Sequence, residues 1–207
     1  MSKIDFKKNL KELYAPPQKF VVVDVPEMQF LMANGHGDPN VTEEYQDALE
    51  ALYAAAYKTK IISKRSEGKD YVVPPLEGLW WADDMDNFSI KRDKSQWDWT
   101  AMIMTPEWIT PEIFSDAVIQ VRKKKNLNAL GKVRLEHYHE GLSVQIMHIG
   151  SYDDEAPILE KMHAEFIPDN RYIENGKHHE IYLSDPRRVA PEKLKTVLRQ
   201  PVRRSEQ

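Results

Sequence analysis

The chain has 207 residues, 41% of them hydrophobic and 30% charged, with a formal net charge of -4; this describes a globular protein with a substantial core and no electrostatic footprint for nucleic acid. It contains no cysteine, which excludes disulfides, thiolate nucleophiles and Cys-ligated zinc. The first dozen residues are polar and Lys-rich, unlike a secretory signal, and no apolar run approaches the ~20 residues of a membrane span, so a cytoplasmic location is expected.

Residues 1–15 read as a short amphipathic arm carrying Ile4, Phe6, Leu10, Leu13 and Tyr14, stopped by Ala15-Pro16-Pro17. Phe20 to Val25 reads as a strand ended by Pro26, and Gln29 to Ala33 as a second one. Asn34-Gly35-His36-Gly37-Asp38-Pro39 is a dense turn signal. Asn40, with Glu43 three residues on, has the spacing of a capping box. The helix it starts is expected to run to about Ile62, with Tyr45, Leu49, Leu52, Tyr53, Ala56 and Tyr57 as its inward stripe. Leu76 to Trp81 and Gln96 to Met104 read as strands, the second covered on both sides because both of its faces turn apolar. Thr110 caps a helix with Pro111 at its first position, buried through Ile113, Phe114, Ala117, Val118 and Val121. The basic run Arg122 to Lys125 complements that helix's C-terminal dipole.

In the second half, Val133 to His139 and Leu142 to Ile149 read as a hairpin around Glu140-Gly141. A helix from about Asp154 to Phe166 follows, then a loop to Lys177, a strand at His178–Leu183, and a short last helix from Pro191 that stops before Pro201. Gln29-Phe30-Leu31-Met32-Ala33-Asn34-Gly35 and Gln145-Ile146-Met147-His148-Ile149-Gly150 open each half in the same way. The expected class is α+β, two related modules in one domain, and clefts favour such junctions.

Chemistry concentrates on the strand at His178. Alternation puts His178, Glu180 and Tyr182 on one face and His179, Ile181 and Leu183 on the other; the aliphatic pair is expected to pack under helices, leaving Glu180 and Tyr182 facing a pocket or solvent. Five Trp are present, four of them (Trp80, Trp81, Trp97, Trp99) on two strands, and flat apolar rings grip planar ligands and cations. Seven His raise a metal, but no set of three or four converging ligands is evident, so none is expected. No Gly-x-Ser-x-Gly elbow and no Gly-rich phosphate loop occur, and no cofactor is implied.

Several motifs in order carry a family resemblance: Leu76-Glu77-Gly78-Leu79-Trp80-Trp81, Trp97-x-Trp99-Thr100-x-Met102-Ile103, Gln145-Ile146-Met147-His148-x-Gly150-x-Tyr152-Asp153-Asp154-Glu155, His178-His179-Glu180-Ile181-Tyr182-Leu183-Ser184-Asp185-Pro186-Arg187 and Lys195-Thr196-Val197-Leu198-Arg199-Gln200-Pro201-Val202. Together, over about residues 15–202, they resemble the stand-alone GyrI-like proteins. The resemblance implies one domain, 1–207, of two pseudo-symmetric β-α-β-β modules (about 18–105 and 106–202) with a central aromatic cleft. It implies cleft-facing roles for Glu180 and Tyr182 as catalytic residues, with Trp80, Trp97, Trp99, Met102, Tyr138, Met147 and Tyr152 as ligand-binding ones. Members similar to this chain are cyclopropanoid cyclohydrolases, which add water across the strained ring of planar DNA-alkylating compounds. For such a reaction Glu180, desolvated among aromatic rings, would be raised toward a general base's range, and a Tyr O–H would hydrogen-bond the developing phenolate. The expected partner is a lipophilic planar small molecule, with no nucleic acid or membrane. A sequestering protein that binds amphipathic or cationic compounds without turnover would need the same Glu and the same aromatics. The faces of the Trp97–Met104 strand are left open, so Trp99 and Met102 compete for one role. The oligomeric state is open as well.

Overall fold

The structure is a computed structural model and describes residues 3–83 and 93–206; Met1 and Ser2 of the expected arm lie outside them. Helices and antiparallel strands make a mixed α/β fold. The chain divides into two compact units, Met1–Phe6 with Met28–Tyr138 and Lys7–Glu27 with His139–Gln207. No helix among the described residues is long and apolar enough to cross a membrane.

The arm forms two single-turn helices, α1 (Phe6–Asn9) and α2 (Lys11–Tyr14). Its apolar residues are anchored: Ile4 bridges Tyr71, and Leu13 and Tyr14 are buried. Strand β1 runs unbroken over Val21–His36, where two strands split at Pro26 were expected. Pro26 is exposed and precedes the residues that pair with the next strand of the first unit, which begin at Gln29; a proline's missing N–H is tolerated where no ladder bond requires it.

In the first unit, helix α3 (Glu43–Ser66) starts at Thr42 rather than at Asn40, because Asp38 takes Asn40 into a local turn: its Oδ1 accepts from the Asn40 backbone N–H at 2.9 Å. The buried stripe is Tyr45, Ala48, Ala51, Leu52, Ala55, Ala56, Thr59, Ile62 and Ser63. Tyr57, expected inside, is exposed; alanines at helical spacing bring the backbone closer to the sheet than a Tyr stripe would. Strands β2 (Leu76–Trp81) and β3 (Asp98–Thr105) follow, in the order β1-β3-β2. Pairing puts Gly35, Trp99 and Trp80 in one row and Met32, Met102 and Glu77 in a row on the opposite face. Helix α4 (Pro111–Arg122) begins as expected, with Thr110 accepting from the Ile113 N–H; it buries Ile113, Ala117 and Val121.

The second unit corrects two readings. Strand β4 is continuous over Arg134–Ile149, so Glu140-Gly141 is not a hairpin turn. Gly141 takes φ +73° inside the strand, a glycine bulge that breaks the alternation. Glu140 is thereby turned to the same face as Gln145 and Arg199. The short helix expected after Pro191 is a single turn, Pro191–Lys193, and Lys195–Arg204 is strand β7. It reads Lys-Thr-Val-Leu-Arg-Gln-Pro-Val-Arg-Arg, and its β-branched residues are buried on both faces. Between these strands, a 3-10 turn (Tyr152–Glu155) leads into α5 (Ala156–Lys161), a π-turn (Met162–Phe166) and a last α turn to Asp169. Two strands follow, the short β5 (Tyr172–Glu174) and β6 (His178–Tyr182). β7 is the hub, pairing with β4, β5 and β6.

One buried polar cluster ties this hub together. The Glu140 carboxylate accepts from Arg199 Nη1 at 3.0 Å, and His179 Nδ1 lies 3.0 Å from both of its oxygens. Arg199 also donates to Gln145 Oε1 at 3.0 Å and to the Leu13 carbonyl at 2.8 Å, while Gln145 donates to the Glu12 carbonyl at 2.6 Å. All of these side chains are buried. Burial alone would raise the Glu140 carboxyl, but the His179 and Arg199 charges and their hydrogen bonds outweigh it and hold the group at about 2.

A buried pair that loses one partner costs about 3–5 kcal/mol, so Glu140→Gln is expected to lower stability by that order in urea unfolding at pH 7. Because the folded value lies below the ordinary 4.5, the stabilisation from Glu140 is complete above about pH 5 and is lost as pH falls toward 2. The Gln variant is expected to lack this acid-dependent loss in a pH series of melting curves.

Candidate functional site

The alternation of β6 holds, and its consequence is specific. His179, locked to Glu140, lies on one face; His178, Glu180 and Tyr182 lie on the other. The Glu180 face is the helix-covered one: cross-strand rows place Glu180 beside Leu198 and Ile146. Leu198, Ile146 and Val144 pack with Met162 and Ile167, and with Ile158, Leu159 and Phe166 at the edge of that cluster. The expectation that Ile181 and Leu183 mark the helix side is therefore reversed. A short aliphatic pair fits either side of a sheet buried on both, and Ile181 is indeed fully buried on its own face.

Glu180 sits at the end of this helical cover with 15% of its side chain exposed. The Tyr182 hydroxyl donates to its Oε2 at 2.7 Å. On the other side His178 Nε2 lies 3.5 Å from Oε1, and His178 is itself buried. The Tyr152 ring meets Tyr182 edge-on, with centroids 5.7 Å apart and planes at 81°. Tyr152 stands at the head of the 3-10 turn, which Ser151 and Asp154 cap: Ser151 Oγ donates to Asp154 Oδ2 at 2.7 Å. Behind His178, 6.3 Å away ring to ring, His163 holds Glu174 at 2.6 Å, and this hydrogen bond keeps the Glu174 carboxyl below its ordinary range. His163 and Glu174 were missed from sequence; they lie on the π-turn and on β5, 11 residues apart.

The second unit thus brings together Glu180, Tyr182 and Tyr152. Met147 pairs with Val197 and stands in the row of Ile181, on the opposite face from Glu180. The other candidates belong to the first unit. Tyr138 is half-buried near the end of that unit's part of β4. Trp80, Trp97 and Trp99 form a stack with Tyr45 of α3: Tyr45 to Trp99 4.9 Å and 87°, Tyr45 to Trp80 5.9 Å, Trp80 to Trp97 5.9 Å. Trp80 and Trp97 keep 4% and 8% of their surface exposed, whereas Trp99 and Met102 keep none. Contact with Tyr45 assigns the Trp99 face to α3, and Met102 lies on the reverse face. Two glycines make beds for the indoles. A Cβ on Gly35 would lie 2.2 Å from two atoms of the Trp99 ring, and one on Gly78 would lie 2.7 Å from Trp80 Nε1.

Among the described residues no group of three or more His, Asp or Glu is arranged to hold a metal ion.

The comparisons with known proteins agree with this architecture. A family model for the GyrI-like small molecule binding domain matches residues 18–203. A search of curated proteins gives no match. An uncharacterized conserved protein from Listeria innocua is 44% identical, with 97% of this chain and 100% of that one covered and a TM-score of 0.89. A protein named a hydrolase from Listeria innocua is 43% identical, with 98% and 100% covered and a TM-score of 0.86. The EcmrR C-terminal domain, at 12% identity with 90% and 98% covered and a TM-score of 0.54, shares the fold. The chain belongs to the GyrI-like small molecule binding domain family.

Gly35→Ala is expected to destabilise by about 1–3 kcal/mol, the usual cost of overpacking a filled site. The same variant is expected to change the near-UV circular dichroism of the Trp stack, a readout that separates ring displacement from a diffuse loss of stability.

Proposed function

We propose that this protein is a hydrolase that opens the cyclopropane ring of planar, lipophilic electrophiles by adding water, with Glu180 as general base. The observation that carries the reading is a carboxylate held at one oxygen by a Tyr hydroxyl, with aromatic rings beside it, in a member of a small-molecule binding family whose near relatives include a protein named a hydrolase. In this reading the Glu180 carboxylate takes a proton from water as the water oxygen bonds to the ring CH2. The cleaved C–C pair moves through the conjugated dienone to the carbonyl oxygen, which becomes a phenolate. Protonation of the phenolate by Glu180 or solvent completes a net gain of one water. Tyr182 orients the carboxylate and Tyr152 is the donor assigned to the developing phenolate. In the first unit, Trp99 and Met102 carry packing. The pseudo-symmetric relation of two β-α-β-β modules belongs to the proposal too, supported by the orders β1-β3-β2 and β4-β7-β6.

The reading predicts many turnovers per protein molecule when a substoichiometric amount is incubated with a spirocyclopropyl dienone and the product mass is followed. Glu180→Gln is expected to lose at least about a hundredfold in rate, within the range typical of a general base, and Tyr182→Phe a smaller factor. Stoichiometric protection with unchanged ligand would replace the hydrolase with a sequestering protein; full turnover by Glu180→Gln would remove Glu180 from the mechanism.

A further inference from the structure

The chain contains two Asn-Gly pairs, Asn34-Gly35 and Asn175-Gly176, and the fold treats them in opposite ways. In such a pair the side-chain amide is open to attack by the next backbone nitrogen, because glycine has no Cβ to block the approach. Asn34-Gly35 lies inside β1, paired with Thr100 and Trp99 of β3. Asn34 Oδ1 accepts from Thr100 Oγ1 at 3.0 Å, and the Trp99 ring covers Gly35 so closely that a Cβ there would stand 2.2 Å from it. Asn175-Gly176 instead lies in the exposed connection between β5 and β6. Among the described residues, the Asn175 side-chain amide and the Gly176 N–H bond to no group. The pair is held only at its two ends. The Asn175 N–H donates to the Pro201 carbonyl at 2.8 Å, and Gln200 Nε2 donates to the Gly176 carbonyl at 3.3 Å. Gly176 takes φ +121°, and a Cβ there would meet Pro201 Cβ and Cγ at 3.3 Å. The glycine that leaves Asn175 open to attack is thus one that the turn itself requires.

From this contrast we propose that Asn175 is a site of spontaneous deamidation, a covalent modification that accumulates as the folded protein ages. The Gly176 nitrogen bonds to Asn175 Cγ as its proton passes to Nδ2. The Cγ–Nδ2 bond breaks, ammonia leaves and a succinimide ring closes. Water then opens the ring at either carbonyl, leaving an aspartyl or an isoaspartyl residue. The net change is one water gained and one ammonia lost, with no oxidant or reductant. Either product sets a new carboxylate beside Glu174. The isoaspartyl form also adds a main-chain carbon to the short span between Glu174 and His178, where β6 begins. At Asn34 the same ring closure would require β1 to part from β3 and the indole to lift off Gly35. The inference is independent of the reading of the Glu180 site.

The test incubates the full chain in mildly alkaline buffer, folded and in urea. At intervals the protein is digested and both Asn-Gly peptides are quantified by mass spectrometry, with fragmentation that separates aspartyl from isoaspartyl products. In the folded protein, conversion at Asn175 is expected to outpace that at Asn34 by at least about tenfold, because the strand must open locally before Asn34 can react. In urea the two rates are expected to fall within about twofold of each other, since both pairs then lie in an open chain. Asn175→Gln, whose longer side chain must close a larger ring, is expected to abolish conversion at that position and leave Asn34 unchanged. Equal rates at the two sites in the folded protein overturn the proposal. So does an Asn175 that stays intact in the folded protein while the unfolded chain converts.

Discussion

The second unit depends on the burial of Glu140 against Arg199 and His179. A carboxylate, a guanidinium and an imidazole removed from water demand close partners, and here each is met by the others and by carbonyls of the N-terminal arm. This requirement does more than hold strands together. It fixes His179 to one face of β6, and a strand has no freedom to place neighbours independently. Once His179 is committed, His178, Glu180 and Tyr182 must stand on the other side. A one-residue slip would bury the wrong set and strand Arg199. The position of the candidate base is thus set by a charge cluster on the opposite side of the sheet.

Much of this was legible in the chain, and the limits have a physical pattern. The pairing of Glu180 with Tyr182 follows from a two-residue period, which is local and rigid. The indole strands, the Thr110 cap and the helix at Pro111 were likewise written in adjacent residues. Glu140-Gly141 was misread because turn propensity is a local signal, whereas the partners of Glu140 lie 39 and 59 residues away. Only they explain why a glycine at positive φ bends a strand instead of reversing it. Lys195–Arg204 was misread for a related reason: Pro191 is a good helix start, but the following residues owe their conformation to three neighbouring strands. His163 and Glu174 meet from β5 and from a π-turn that no periodicity announces.

The two faces of the first unit's sheet show how small residues decide large ones. Gly35, Gly78, Ala33 and Ala101 are the low ground on which Trp99 and Trp80 lie and α3 settles through its alanines. On the reverse face Met32 and Met102 fill the space with flexible side chains. Aromatic content alone had suggested a ligand grip throughout; burial divides it into a stack that packs and two indoles that retain a little exposed surface.

The π-turn at Met162–Phe166 has a consequence for phase. A helix that takes one residue more in a single turn rotates everything after it by about 100° relative to an unbroken α-helix. Met162, the first residue of the π-turn, and Ile167, just after it, both reach the same apolar cluster, which five residues of regular helix would not allow. Removing one residue from this segment would make the helix locally more regular, yet it would swing either Met162 or Ile167 out of the core. The irregular turn is therefore the setting that keeps the helix's two ends in register with one sheet.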